Sequence, residues 1–138
     1  MREENEKTKT ELEWTYKGYK CQAVFLKMGH RTGYVAIPKD HPLYNKIDFE
    51  SDLINVHGGI TYAQFSDGDY LIGFDFGHYG DGVDYNSTKK YFNTYPFLEN
   101  SPEEKVYKLE DTISECKKVV DQLEKLKEEN NGSLNNSD

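Results

Sequence analysis

Apolar and polar residues alternate along the chain from Leu12 onward. "LEWTYKG" sets Leu12, Trp14 and Tyr16 on one side, and "YKCQAVFLKMG" does the same with Tyr19, Cys21, Ala23 and Phe25. A period of two marks a strand with one buried face, and Lys17-Gly18 between the runs suits a tight hairpin turn. "GHRTG" reads as a second turn and "YVAIP" as a third strand, stopped by Pro38. "DHPLYNK" predicts a single helical turn or tight loop, because Pro42 sets the backbone early. "ITYAQF" and "DYLIGFDF" follow as strands joined through "SDGD", whose Asp-Gly step favours a two-residue hairpin. About five strands in this order predict an antiparallel meander.

Beyond the strands the period changes. Residues 78–100 read as a long loop with a short helix around Thr88–Phe92, and loops of that length in a small domain commonly carry function. A helix is expected over 101–128. Ser101 suits the N-cap, Pro102 the first helical position, and Glu104 completes a capping box. Val106, Leu109, Ile113, Cys116, Val120 and Leu123 then form a narrow apolar seam spaced 3-4-3-4-3. The seam predicts a helix lying across one sheet face, with Ile113 in the contact; the alternative is pairing with its twin in a homodimer. The expected fold is thus α+β: an antiparallel sheet over 11–77 and a long C-terminal helix on one face. Residues 11–128 make a single domain, and the polar ends 1–10 and 129–138 are expected to fray.

Charge adds a regional asymmetry. The net charge is −8, and the segment Ile47–Thr88 holds eight acids with no Lys or Arg. The other 17 acids match the 17 basic residues, so that segment carries the whole imbalance. Such a surface does not bind a nucleic-acid backbone, which needs cations; it suits a basic protein surface or a cation, and otherwise is a solvated acidic face. Cys21 and Cys116 form no metal-binding or secreted disulfide pattern. The charged N-terminus has no signal-peptide run, and no stretch approaches membrane-spanning length, so the cytoplasm is the expected location. The Asn-x-Ser/Thr matches at Asn86, Asn131 and Asn135 are then chance.

Candidate chemistry concentrates in "HGGITYAQFSDGDYLIGFDFGHYGDG", residues 57–82. His57, Asp75, His78 and Asp81 are the one group with metal-ligand character, although their spacing matches no strong zinc signature. Both histidines are bracketed by glycines and sit at opposite ends of paired strands, which predicts that the hairpin at Ser66–Asp69 brings them together. His57-Gly58-Gly59 could expose backbone N–H groups to an anion, but no nucleophile motif accompanies it, so a glycine-relieved bulge is the better reading. Tyr79, Tyr85, Tyr91 and Tyr95 cannot all be core, and loop tyrosines beside acids make interface anchors. The binding residues expected are His57, Tyr62, Asp67, Asp69, Asp75, His78, Tyr79, Asp81, Asp84 and Tyr85. No cofactor is called for.

"GYVAIPKDHPLY", "VHGGITY", "GFDFGHYGD" and "ECKKVVDQL", in this order, resemble a group of small proteins encoded by tailed bacteriophages and prophages of low-GC bacteria. The resemblance covers roughly Trp14 to Leu123. It implies a phage accessory protein made in an infected bacterial cell, and small acidic accessories of this kind are often counter-defence factors that bind a host immune protein. The leading expectation is therefore a non-enzymatic inhibitor of a bacterial anti-phage defence component, acting through its acidic, tyrosine-bearing segment on a basic host protein. One alternative is a metal-dependent hydrolase using His57, Asp75, His78 and Asp81. Another is a sponge for a nucleotide immune signal, similar in outline to anti-Thoeris sponges, with Arg31, Lys89 and Lys90 on the phosphates.

Overall fold

The alternating runs become five strands: β1 (Thr8–Tyr16), β2 (Tyr19–Leu26), β3 (Arg31–Ala36), β4 (Tyr62–Ser66) and β5 (Asp69–Asp75). Two helices follow, α1 (Tyr85–Phe92) and α2 (Leu109–Asn135). The computed structural model describes residues 1–47, 53–96 and 99–135, with side chains through residue 130. Both expected two-residue hairpins form. Lys17-Gly18 and Asp67-Gly68 all take positive φ, the turn whose twist matches its flanking strands.

Every strand pair is antiparallel, but the order is β1-β2-β3-β5-β4 rather than a meander. The physical reason is burial. "YLIGF" of β5 is buried on both faces, whereas β4 is half exposed, so the more apolar strand of the hairpin takes the interior place. The chain between β3 and β4 crosses the α2 side of the sheet to reach the far edge, burying Ile54, Val56 and Ile60 on the way. His41 ties this crossover to the helix. Its Nδ1 accepts the Leu43 N–H at 3.0 Å, leaving the proton on Nε2 for the Leu123 carbonyl at 2.7 Å.

Helix α2 packs on the sheet face formed by Tyr19, Cys21, Val35, Ile72 and Phe74. Its start differs from expectation. Only half of the capping box forms: the Ser101 N–H donates to Glu104 Oε1 at 2.7 Å, but the Glu104 N–H goes to the Ser101 backbone carbonyl at 3.1 Å instead of to its hydroxyl, and the two residues close an isolated turn. The helix begins only at Leu109, where Asp111 accepts the Lys108 N–H at 2.8 Å. It also runs to Asn135, so the frayed end expected from residue 129 is helical that far. The buried positions are Thr112, Cys116, Val119, Val120 and Leu123, while Leu109 and Ile113 are only half-buried. Of the expected seam, Cys116, Val120 and Leu123 are buried in the core shared with the sheet.

The opposite sheet face is smaller: Val24, Tyr34, Ala36 and Leu71. Residues 1–10, expected to fray, cover part of it. The buried Gln22 amide pairs with the Arg2 peptide, accepting its N–H at 2.9 Å and donating to its carbonyl at 2.8 Å. The Arg2 guanidinium lies over the Tyr62 ring and donates to the Tyr62 hydroxyl at 2.9 Å.

Candidate functional site at the histidine end of the sheet

Four of the expected site residues do meet. His57 and His78 have ring centroids 6.4 Å apart, on the same side of the sheet end. His57 packs against the stacked rings of Phe76 and Tyr107, at 4.8 and 4.6 Å, and its Nε2 lies 3.0 Å from each Asp81 carboxylate oxygen. The His57 backbone N–H donates to Glu115 Oε1 at 2.9 Å, which fixes the histidine to α2. His78 Nδ1 is buried 3.1 Å from Asp75 Oδ1 and 3.9 Å from Asp81 Oδ2, but neither oxygen lies along its hydrogen-bonding direction.

The two carboxylates are already engaged in building the loop. Asp81 accepts the His78 N–H at 3.0 Å and closes the 78–81 turn through its own N–H. Asp75 accepts from the Gly77 N–H and the Thr61 hydroxyl, both at 2.9 Å. Among the described residues, no group of three or more His, Cys, Asp or Glu side chains is arranged to hold a metal ion. No Ser, Thr or Cys side chain among them hydrogen-bonds either imidazole, so a nucleophile–base pair is missing too.

The bracketing glycines have a steric cause. A side chain at Gly58 would run into the His78 ring, and one at Gly77 would come within 2.5 Å of His30 Nε2. Gly58 and Gly59 both have positive φ and form a turn closed by the Gly59 N–H on the Val56 carbonyl, not the expected bulge. The one register shift in the sheet falls at Thr10/Leu12 in β1.

His30 is the site residue that sequence reading passed over as part of a turn. Burial pushes its imidazole below the usual histidine range, against the opposing pull of Asp75 and Asp81. Its signal was present: like the other two it follows or faces glycine. His30 and His78 line a cavity of about 710 Å³ together with Phe76, Asp81, Glu103 and Glu104, and with Met28 and Tyr79 at its mouth. Tyr79 is fully exposed and Met28 is 69 % exposed. No Lys or Arg side chain lines this cavity.

The other expected site residues lie elsewhere. Asp67 and Asp69 belong to the hairpin tip at the opposite end of β5, and Asp69 is neutralised by the Met1 ammonium at 2.8 Å and Lys20 at 3.1 Å. Tyr62 sits under Arg2, and the Tyr85 hydroxyl accepts the Asn100 N–H at 3.0 Å. Asp48, Glu50 and Asp52 lie outside the described residues. Asp84 is internal, 4 % exposed, and caps α1 by accepting the Ser87 N–H at 3.1 Å. A single acidic face built from all these residues does not exist.

Arg31 is not available as the phosphate partner expected of a nucleotide sponge. It is 3 % exposed, and all five of its N–H donors are occupied. Nε and one Nη2 hydrogen bond go to the Glu11 carboxylate; Nη2 also reaches Ser87 Oγ at 3.0 Å. Nη1 reaches Asp84 Oδ2 at 3.0 Å and the Tyr107 carbonyl at 3.1 Å. No donor is left for a phosphate. Lys89 and Lys90 stay on the exposed side of α1, over the rings of Tyr95 and Tyr91.

No family model, curated protein or solved structure matches the chain. No helix among the described residues is long and apolar enough to cross a membrane.

Proposed function

We propose that this protein is a non-enzymatic binding protein that inhibits a component of bacterial anti-phage defence, and that it meets its partner at the histidine end of the sheet. The observation that carries the reading is the cavity there. Glu103 and Glu104 supply negative lining, no Lys or Arg among the described residues lines it, and Tyr79 and Met28 stand exposed at the mouth. Tyr and Met are enriched at interfaces, and the carboxylates would steer a basic partner surface. The phage setting comes from the resemblance of the quoted sequence blocks. The contact surface is smaller than the whole acidic segment, since Asp84 is internal and Asp69 is paired.

The experiment is co-expression of the tagged protein with a defence system, followed by recovery of the bound component and titration of the complex. Binding should weaken with Tyr79→Ala and with the pair Glu103→Lys and Glu104→Lys. It should also weaken as salt shortens the Debye length below about 8 Å. A complex unaffected by all three would refute the contact surface. A hydrolase has one observation in its favour, the gathering of His57, Asp75, His78 and Asp81. Stoichiometric metal in the purified protein would favour that reading over binding alone.

A further inference from the structure

The sheet has two edges, and they are treated differently. Edge strands invite pairing with another chain, and proteins blunt them with charges, bulges or proline. Strand β1 carries Lys9, Glu11 and Glu13 and a bulge between Thr10 and Leu12. Strand β4 carries neither charge nor proline, and its one irregularity falls at its entrance, where the Thr61 N–H reaches the carbonyl of Gly73, the partner of Tyr62. Its register with β5 is regular from Tyr62↔Gly73 to Ser66↔Asp69, and no charged residue occurs from Gly58 to Ser66.

The direction of its free backbone groups follows from the ladder. The Ile37 N–H donates to the Tyr70 carbonyl, so Tyr70, Ile72 and Phe74 turn their backbone groups to β3. By alternation Leu71 and Gly73 turn to β4, where they meet Gln64 and Tyr62. Ala63 and Phe65 then point both N–H and both C=O groups outward, and no other described residue pairs with them. Gln64 is exposed, and Phe65 is 50 % exposed.

We propose that a second copy of this chain pairs with β4, antiparallel, about a two-fold axis through Gln64. This register sets Ala63 opposite Phe65 of the second copy, twice, and satisfies all the outward groups of both residues with backbone hydrogen bonds. The small Ala63 side chain leaves room for the Phe65 ring on the same face, and the two Gln64 amides face each other. Asp67 falls opposite Thr61, so no acid meets an acid. That matters for self-association of a chain with net charge −8. The contact is isologous and closed.

Sedimentation equilibrium of the parent over about a thousand-fold concentration range tests it. The expected result is a reversible shift from 16.0 kDa to twice that mass. Gln64→Lys places two ammonium groups across the axis and should raise the dissociation constant about tenfold or more. Ala63→Pro removes an outward donor that the β4–β5 ladder does not use, and should do the same while circular dichroism stays unchanged. Gln64→Cys should crosslink under mild oxidation, because a non-hydrogen-bonded pair brings the Cα atoms to about 4.5 Å. The native Cys21 and Cys116 are buried and would not contribute. A parent of 16.0 kDa at every concentration, growth beyond two copies, or a dimer indifferent to both Gln64→Lys and Ala63→Pro would overturn the proposal.

Discussion

Replacing Arg31 with methionine should cost this protein more than any surface change, and the reason is what the substitution leaves behind. Glu11 and Asp84 have side chains only 3 % and 4 % exposed, and Arg31 holds both. Methionine fills similar volume but supplies no donor, so two carboxylates lose their buried counter-ion, while Lys108, 3.5 Å from Asp84, compensates only at the rim. Breaking a buried ion pair from one side costs about 3–5 kcal/mol. For a chain of this size that corresponds to a melting temperature lower by roughly 10–20 °C. Urea unfolding followed by circular dichroism gives the midpoint and slope directly. A double variant with Glu11→Leu should recover part of the loss, because one stranded carboxylate is removed with its partner. An Arg31→Met midpoint within error of the parent, or a double variant that simply adds the two losses, would refute the argument that Arg31 organises this buried cluster.

Other outcomes follow from the same structure. Val120→Asp should destabilise by about 3–5 kcal/mol because the position is fully buried, whereas Ile113→Asp should cost about 1 kcal/mol; equal effects would mean a differently rotated helix. Gly58→Ala should cost more than Gly59→Ala in thermal melts. Both have positive φ, worth about 1–2 kcal/mol to a Cβ, but only Gly58 lies against the His78 ring. Stability should fall in two acid windows. The His30 imidazole is held below its unfolded value near 6.5, so unfolding takes up its proton first and stability drops as pH falls from that value; His30→Asn should flatten this step. Burial raises the Asp84 carboxyl, but hydrogen bonds from Ser87 and the ion pair with Arg31 outweigh it and hold the group at about 2. Its contribution, about 2 kcal/mol, is present above the unfolded value near 3.8 and lost as pH falls toward 2.

Local signals carried most of the fold. Period-two runs marked β1 and β2, apolar runs between turns marked the other three strands with β3 starting earlier than expected, at Arg31, and Lys17-Gly18 and Asp67-Gly68 marked both tight hairpins. Strand order was less legible. Nothing near β4 announces that β5, not β4, will lie beside β3; that choice is a global one, made by which strand buries more. The capping box at Ser101 misled for a related reason. Its Glu104 side-chain bond forms, but Lys105 then pairs in parallel with Asp81, holding the chain extended until Lys108. The seam on α2 was read about one position out of phase at Ile113, because a narrow 3-4 spacing fits two neighbouring faces. At the site, the glycine brackets around His57 and His78 gave the right pairing, since the glycines are what admit the rings. Asp84 looked like its acidic neighbours. Only Arg31 and Glu11, distant in sequence, make it internal.

Under the proposed function the histidine end of the sheet blocks a defence component, and plating efficiency on a defence-carrying host tests this most directly. Cells expressing the parent should admit a sensitive phage. Cells expressing a combined Tyr79→Ala, Glu103→Lys and Glu104→Lys variant, folded and equally abundant, should exclude it as cells without the protein do. Equal plating on parent and variant would contradict the account.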